Sequence, residues 1–227
     1  MRFWGRRRAK AEAEEDLEGS RQLAEEDVTV LGEQLQRLDA ELAGSDRADA
    51  AREHHQAALD GYEQATRAVG RLDSQEDVAA LLDTLSEARY EIVCARAVAK
   101  GQEPPERRAD CFFNPQHGPS VRDVVHTFPR LGTRKVAVCA QCEARLEGGE
   151  EPDTRLVRLT SRTVPYWGAG TAYLPYLQGH GLVPAPGARQ QFGGGPLSVT
   201  PSSGGFFAAG GFSDDGNSGD AGDPGES

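Results

Sequence analysis

From Arg21 to Gly101 apolar positions recur at the spacing of a helix face, and beyond Asp110 that rhythm stops. Val28, Leu31, Leu35, Leu38 and Leu42 follow steps of three and four, which form one stripe along a helix. Gly44 and Ser45 end it. Ser45 or Asp46 is placed to cap a second helix, because a short oxygen side chain accepts from the free amides of a first turn. The second stripe carries Ala51, Ala58, Tyr62, Ala65, Val69 and Leu72, with His55 on the same side and Gly70 weakening the last turn. Ser74-Gln75-Glu76-Asp77 resembles a capping box, with aspartate where glutamate is preferred. A third helix then places Val78, Leu81, Leu82, Leu85, Ala88, Ile92, Ala95 and Ala99 toward one side until Gly101 and the Pro104-Pro105 pair stop it. Short turns between such helices predict an antiparallel three-helix bundle, or a long helical hairpin, over residues 21–101. The stripes are narrow and alanine-rich, so they predict close packing with modest burial per helix.

The remainder reads differently. Residues 1–20 begin basic and turn acidic, and predict a flexible start, with 11–20 a frayed extension whose acids suit a solvated helix start. Residues 102–110, QEPPERRAD, form a linker that its two prolines make extended and semi-rigid. In residues 111–183, VRDVVHTF, PRLG and TRKVAV read as strand, turn and returning strand, and CAQCEARLE as a short helix ended by Gly148 and Gly149. Thr154 to Pro165 is strand-like. The rings of VPYWGAGTAYLPY supply the area that completes a small core. Residues 184–227 are glycine, serine, proline and aspartate with Phe206, Phe207 and Phe212 among them, a composition that predicts a disordered tail. The fold class is therefore α+β: a helical bundle, then a small metal-held hairpin-and-helix module, then the tail.

Charge sharpens this division. Residues 11–100 hold 22 acidic against 9 basic residues, whereas 101–165 hold 9 against 10. The acidic helical part repels nucleic acid and anionic membrane unless a local patch overrides it. MRFWGRRRAK has the charge of a secretory n-region but no apolar stretch follows, and no run reaches the ~20 apolar residues of a membrane span. The expectation is a cytoplasmic protein whose thiols stay reduced.

Three of the four cysteines lie between Cys111 and Cys142. Cys111-x5-His117 and Cys139-x2-Cys142 form two half-sites that a hairpin between them would join. Three sulfurs and one imidazole are a ligand set of structural zinc, which takes four such donors in a tetrahedron. With every position filled by protein, that ion has no open site for substrate. Two other readings stand beside this one. Cys139 and Cys142 would form a redox pair at a helix start, although no βαβ context surrounds them, or the thiols are simply packed. His126, in mid-strand, is the alternative fourth ligand. Cys94 reads as a small core residue of the third helix. Arg130, Arg134 and Lys135 at the hairpin tip form a candidate nucleic-acid contact. Phe3 and Trp4, among arginines, form a candidate membrane contact. Gly168-Ala169-Gly170 lacks the lysine and context of a phosphate loop. No serine has a nucleophile context, and the carboxylates follow solvated helix faces.

The order of ligand turn, hairpin and CxxC opening a helix resembles treble-clef zinc folds, departing in the first half, where C-x5-H stands for the usual CxxC knuckle. At CFFNPQHGPSVRDV, VAVCAQC, EPDTRLV and VPYWGAGTAYLPY the chain resembles an uncharacterised actinobacterial protein group with a helical N-terminal segment and a glycine-rich tail. That resemblance spans about residues 25–180; it implies architecture and carries no activity across. The resulting expectation is a non-enzymatic scaffold or adaptor with structural zinc and no small-molecule substrate. Its helical stripes would engage a protein partner or a second copy. The alternatives are a nucleic-acid-associated regulator using the basic tip and a membrane-peripheral factor using the first residues.

Overall fold

The computed structural model describes residues 2–129, 131–159, 162–170 and 173–177; the side chains of 2–6, 8, 9 and 159 are outside that description. The tail expected over 184–227, with its phenylalanines, also lies outside it. The architecture is α+β. Helices α1 (Arg2–Ala43), α2 (Arg52–Val69) and α3 (Gln75–Ala99) precede two small antiparallel sheets, of which the first pairs β1 (Arg122–Phe128) with β2 (Gly132–Val138). Helix α4 (Ala140–Glu147) follows, then the second sheet, β3 (Leu156–Leu159) with β4 (Arg162–Pro165), and a last turn of helix, α5 (Leu174–Leu177). No described helix is long and apolar enough to cross a membrane.

The three helices run up, down and up. His55 on α2 meets Asp39 on α1, His54 meets Glu91 on α3, and Arg96 near the end of α3 forks onto Glu41 near the end of α1. The predicted stripes are the bundle core: Leu31 and Leu38 from α1, Ala58 and Ala65 from α2, and Val78 and Leu85 from α3 are fully covered. These stripes close on one another within the chain. Small residues set the spacing. A Cβ on Gly32 would come within 3.2 Å of the Tyr62 ring, and one on Gly61 within 2.9 Å of the Ala88 Cβ.

Gly61→Ala therefore sets two effects against each other. Alanine is favoured over glycine in a helix interior by about 1 kcal/mol, but overpacking a close helix contact costs about 1–3 kcal/mol. A contact between two Cβ atoms has no flexible end to move, so net destabilisation is expected. The added replacement Ala88→Gly should relieve the contact and return the urea midpoint toward that of Ala88→Gly alone.

Three boundaries differ from the sequence expectation. Helix α1 starts at Arg2 rather than near Arg21. AEAEEDLEGS is rich in strong helix formers, Lys10 pairs with Glu14 one turn on, and Leu17 packs against the bundle core. Helix α2 starts at Arg52, and neither Ser45 nor Asp46 caps it. The Ser45 hydroxyl instead donates to the carbonyl of Ala99, left free at the end of α3, and accepts from the Arg47 amide. The strand-like segment from Thr154 to Pro165 is a hairpin, registered from Leu156 opposite Pro165 to Leu159 opposite Arg162.

The other helix ends follow the sequence. The Ser74 hydroxyl accepts from the Asp77 amide, and the Asp77 carboxylate accepts from Ser74 and from the Asp73 amide. These bonds, that from Ser74 foremost, hold the Asp77 carboxyl below its usual range. Gly101, at φ +76°, closes α3 with its amide on Val98 and the Gln102 amide on Ala97.

The linker and module do not stand apart from the bundle. The Tyr90 hydroxyl donates to the Pro105 carbonyl, and Arg107 pairs with Glu87, so the linker returns along α3. The second core gathers Phe112, Phe113, Phe128, Val138, Val157 and Tyr166 and reaches α1 through Leu23. Leu82 touches both cores. Between them lies an ion pair of Asp27 with Arg155, only 1% and 4% exposed. Gln116 also donates to Asp27 (2.8 Å), Arg155 donates to the Leu23 carbonyl (3.2 Å), and Gln34 donates to the Gln116 carbonyl (2.7 Å). Burial works against the Arg155 charge, but Asp27 and then other nearby groups hold its pKa above the ordinary value.

Candidate metal centre

Three backbone features bring the half-sites together. The β1–β2 register sets Arg122 opposite Val138, so the start of one strand faces the end of the other. The segment before β1 adds to this end: the Phe112 amide donates to Ala137 and the Val121 amide to Val138. A 3-10 turn over Pro115–His117, capped by Asn114, folds His117 back toward Cys111, and the Cys111 amide donates to Gly118. Gly118 has φ +76°, and a Cβ there would touch the Arg89 side chain at 3.4 Å, so glycine suits both the turn and the approach to α3.

Cys111, His117, Cys139 and Cys142 converge, with their ligand atoms all within 4.8 Å of one another. His117 Nδ1 is 3.4 Å from Cys139 Sγ and 3.5 Å from Cys142 Sγ. A sulfur and a nitrogen bound tetrahedrally to one zinc ion are about 3.6 Å apart, so the donor set fits that ion in kind and in spacing. Cys139 caps α4, and its sulfur accepts from the Cys142 amide at 3.4 Å. The other face of the imidazole is also held, with Nε2 3.0 Å from Asp153 Oδ2. Asn114 Nδ2 lies 3.4 Å from the same Nε2. With its proton on Nε2 toward Asp153, the imidazole would present the Nδ1 lone pair to a metal held by the sulfurs.

The electrostatics favour a cation. The Cys139 thiol is lowered to about 3, first by its hydrogen bond from Cys111 and, against the cost of burial, by His117. Cys142 is pushed up to about 11 by burial and by the neighbouring Cys139 charge. Cys111 rises through its bond to Cys139 and through burial. Burial pulls the His117 pKa down, but Cys139 and Asp153 outweigh it and the net direction is up. Three buried sulfurs that face one another perturb each other's protons. A divalent cation that displaces those protons would satisfy all three sulfurs at once.

The remaining candidates are placed as follows. His126 is not in the cluster: it packs edge-on against Phe113 and Phe128, with ring centres 5.2 and 4.7 Å away. Cys94 is buried on α3, and burial raises its pKa. Arg130 lies outside the described residues. Arg134 donates to the Leu131 carbonyl (2.8 Å) and Lys135 pairs with Asp123 (3.2 Å). Successive strand residues point to opposite faces, so these two do not share one surface. The side chains of Phe3 and Trp4 lie outside the description. Sequence reasoning passed over Asp153 and the Asp27–Arg155 pair. The only sequence signal for either is the EPDTRLV segment that holds Asp153 and Arg155. No protein-family model, curated protein or solved structure matches the chain.

Proposed function

We propose that the protein is a non-enzymatic scaffold whose Cys111, His117, Cys139 and Cys142 hold a structural zinc ion. The observation that carries this reading is the closed ligand set: three buried sulfurs and a half-buried imidazole converge, with the imidazole fixed from behind by Asp153. Such a site leaves no coordination position for substrate and instead fixes ligand turn, hairpin and α4 to one another. The order of those elements supports a treble-clef-like description. The ion would make the module a rigid head on the bundle. The bundle stripes are used internally, so the partner-facing surface belongs to other residues. The start of α1 is suited to it: before Ser20, which meets Gln75 at the start of α3, the helix exposes Glu12, Glu14 and Glu15.

Elemental analysis of protein purified without added zinc tests the metal, and one equivalent is the expected result. Cys142→Ser should lose it. Asp153→Ala should keep the ion but weaken its retention roughly 10–100-fold in chelator competition, because the imidazole loses its orienting partner. Absence of stoichiometric metal from folded wild-type protein would sink the reading. The scaffold role predicts a partner or a second copy. A monomer mass by light scattering, together with no cross-linked partner in source cells, would remove it.

A further inference from the structure

From Arg6 to Asp16 the chain reads RRRAKAEAEED, and the sign of its charge inverts about Ala11. Arg6 corresponds to Asp16, Arg7 to Glu15, Arg8 to Glu14 and Lys10 to Glu12, while Ala9 corresponds to Ala13. Helix α1 runs unbroken from Arg2 to Ala43, so all these residues share one axis. Among the described side chains, Arg7 and those from Lys10 to Glu15 are exposed and Asp16 is half-buried. Leu17 is the first described side chain of α1 to pack against a core, and Ser20 is the first buried one. The bundle core therefore begins after the charged blocks. A helical stretch of this length with no packed face is marginal in water, and a second helix alongside would stabilise it.

A single helix uses little of the pattern. Opposite charges attract along a helix at a spacing of three or four residues. Between Arg6 and Asp16 only Arg8 with Glu12 and Lys10 with Glu14 have that spacing. Lys10 and Glu14 do meet at 3.5 Å, but both are largely exposed, and such a contact contributes little. Two copies of α1 laid antiparallel, with their two-fold axis at Ala11, use every charge: each base comes level with the corresponding acid of the other copy. Laid parallel, bases would face bases. In the antiparallel register Ser20 comes level with Arg2 of the other copy, so the two bundles lie beyond opposite ends of the paired stretch. An anionic membrane or a nucleic acid would attract the basic block alone, and the adjoining acids would oppose it.

We propose that a second copy of this chain is the partner of α1, the two helices pairing antiparallel about Ala11, with the Arg6–Lys10 block of each along the Glu12–Asp16 block of the other. This inference rests on the scaffold reading, which calls for a partner or a second copy, and it names the second copy and the surface.

Light scattering on the full chain tests it. At low salt the protein should show twice the monomer mass at micromolar concentration. The dissociation constant should rise about tenfold or more at ~1 M sodium chloride, where the screening length is ~3 Å. Two triple variants carry the decisive arm. Arg7→Glu, Arg8→Glu and Lys10→Glu make the stretch acidic throughout, and Glu12→Lys, Glu14→Arg and Glu15→Arg make it basic throughout. Each variant alone should be monomeric, and an equal mixture should restore the dimer, which also shows that both variants fold. Carbodiimide, which joins an amine to a carboxylate in contact, should link Lys10 to Glu12 between copies in a mixture of light and isotopically heavy chain. Four results overturn the pairing: wild type is monomeric at low salt, either variant alone still dimerises, mixing restores nothing, or wild type stays monomeric but binds anionic vesicles or nucleic acid through the basic block. A monomer that still cross-links to another protein in source cells refutes this pairing and leaves the scaffold reading in place. Metal content should match wild type in every sample, so the zinc reading is tested separately.

Discussion

Stripping the proposed zinc ion with a strong chelator is expected to unfold the module that follows the linker while the three helices keep their structure. The module is too small to depend on burial alone. Its regular parts are two two-stranded sheets, an eight-residue α4 and single turns of helix, and isolated two-stranded hairpins are marginal in water. Phe112, Phe113, Phe128 and Tyr166 form its core, but domains of this size bury a low fraction of their surface. Structural zinc contributes about 10–16 kcal/mol of apparent binding energy to small domains, as much as the whole net stability of an ordinary one. The bundle has its own core and stays folded. Hydrogen exchange reads the split. The amides of Phe112, Val121 and Arg155, which join parts of the module, should lose protection in chelator, while those of Leu85 and Ile92 in α3 retain it. Cys142→Ser should give the same pattern without chelator. Full protection of the module amides in protein shown to be metal-free would mean that aromatic packing alone holds it.

What could be read from the chain follows the range of the interactions involved. The bundle stripes were legible because helix periodicity is local: Leu31, Leu35 and Leu38 announce a buried face whatever they meet. The cluster of Cys111, His117, Cys139 and Cys142 was legible because its donor chemistry is rare in the chain and CxxC is a familiar half-site, although His126 stood beside His117 until the 3-10 turn was seen. The hairpin between them was legible because β-branched runs flank a proline-containing turn. Apart from the start of α1, whose helix formers are local, the misread features depend on distant groups. Ser45 has the chemistry of a cap for α2, but its hydroxyl goes to Ala99, brought alongside by the fold. Asp153 looks like one more solvated acid until the 3-10 turn brings His117 to it. Asp27 is harder still. It follows Glu25 and Glu26 in an acidic helix, where a third carboxylate reads as solvent-facing. Yet α1 turns Glu25 outward and Asp27 inward, onto an arginine far along the chain.

Asp27→Ala is expected to destabilise the protein by about 3–5 kcal/mol, since it leaves the buried Arg155 guanidinium with only the more distant carboxylate of the exposed Glu26, 3.6 Å away. The loss should exceed that of any exposed pair, such as Lys10 with Glu14, which contributes at most about 1 kcal/mol. Arg155→Ala should cost a similar amount from the other side, leaving the buried Asp27 carboxylate with neutral donors such as Gln116 in place of its cation. The two costs should not add. When both charges are removed together, as in Asp27→Leu with Arg155→Met, neither buried ion remains, and much of the stability should return, because apolar replacement of a buried pair is often neutral or favourable. A double-mutant cycle from urea midpoints measures this coupling. Metal content should stay at the wild-type level in each variant, since neither residue touches the ligands, and this separates loss of docking from loss of the ion. Single replacements that each cost under about 1 kcal/mol would place the pair with ordinary surface contacts. Docking would then rest on the apolar contacts of Leu23 and Leu82 and on polar contacts such as that of Gln34 with the Gln116 carbonyl.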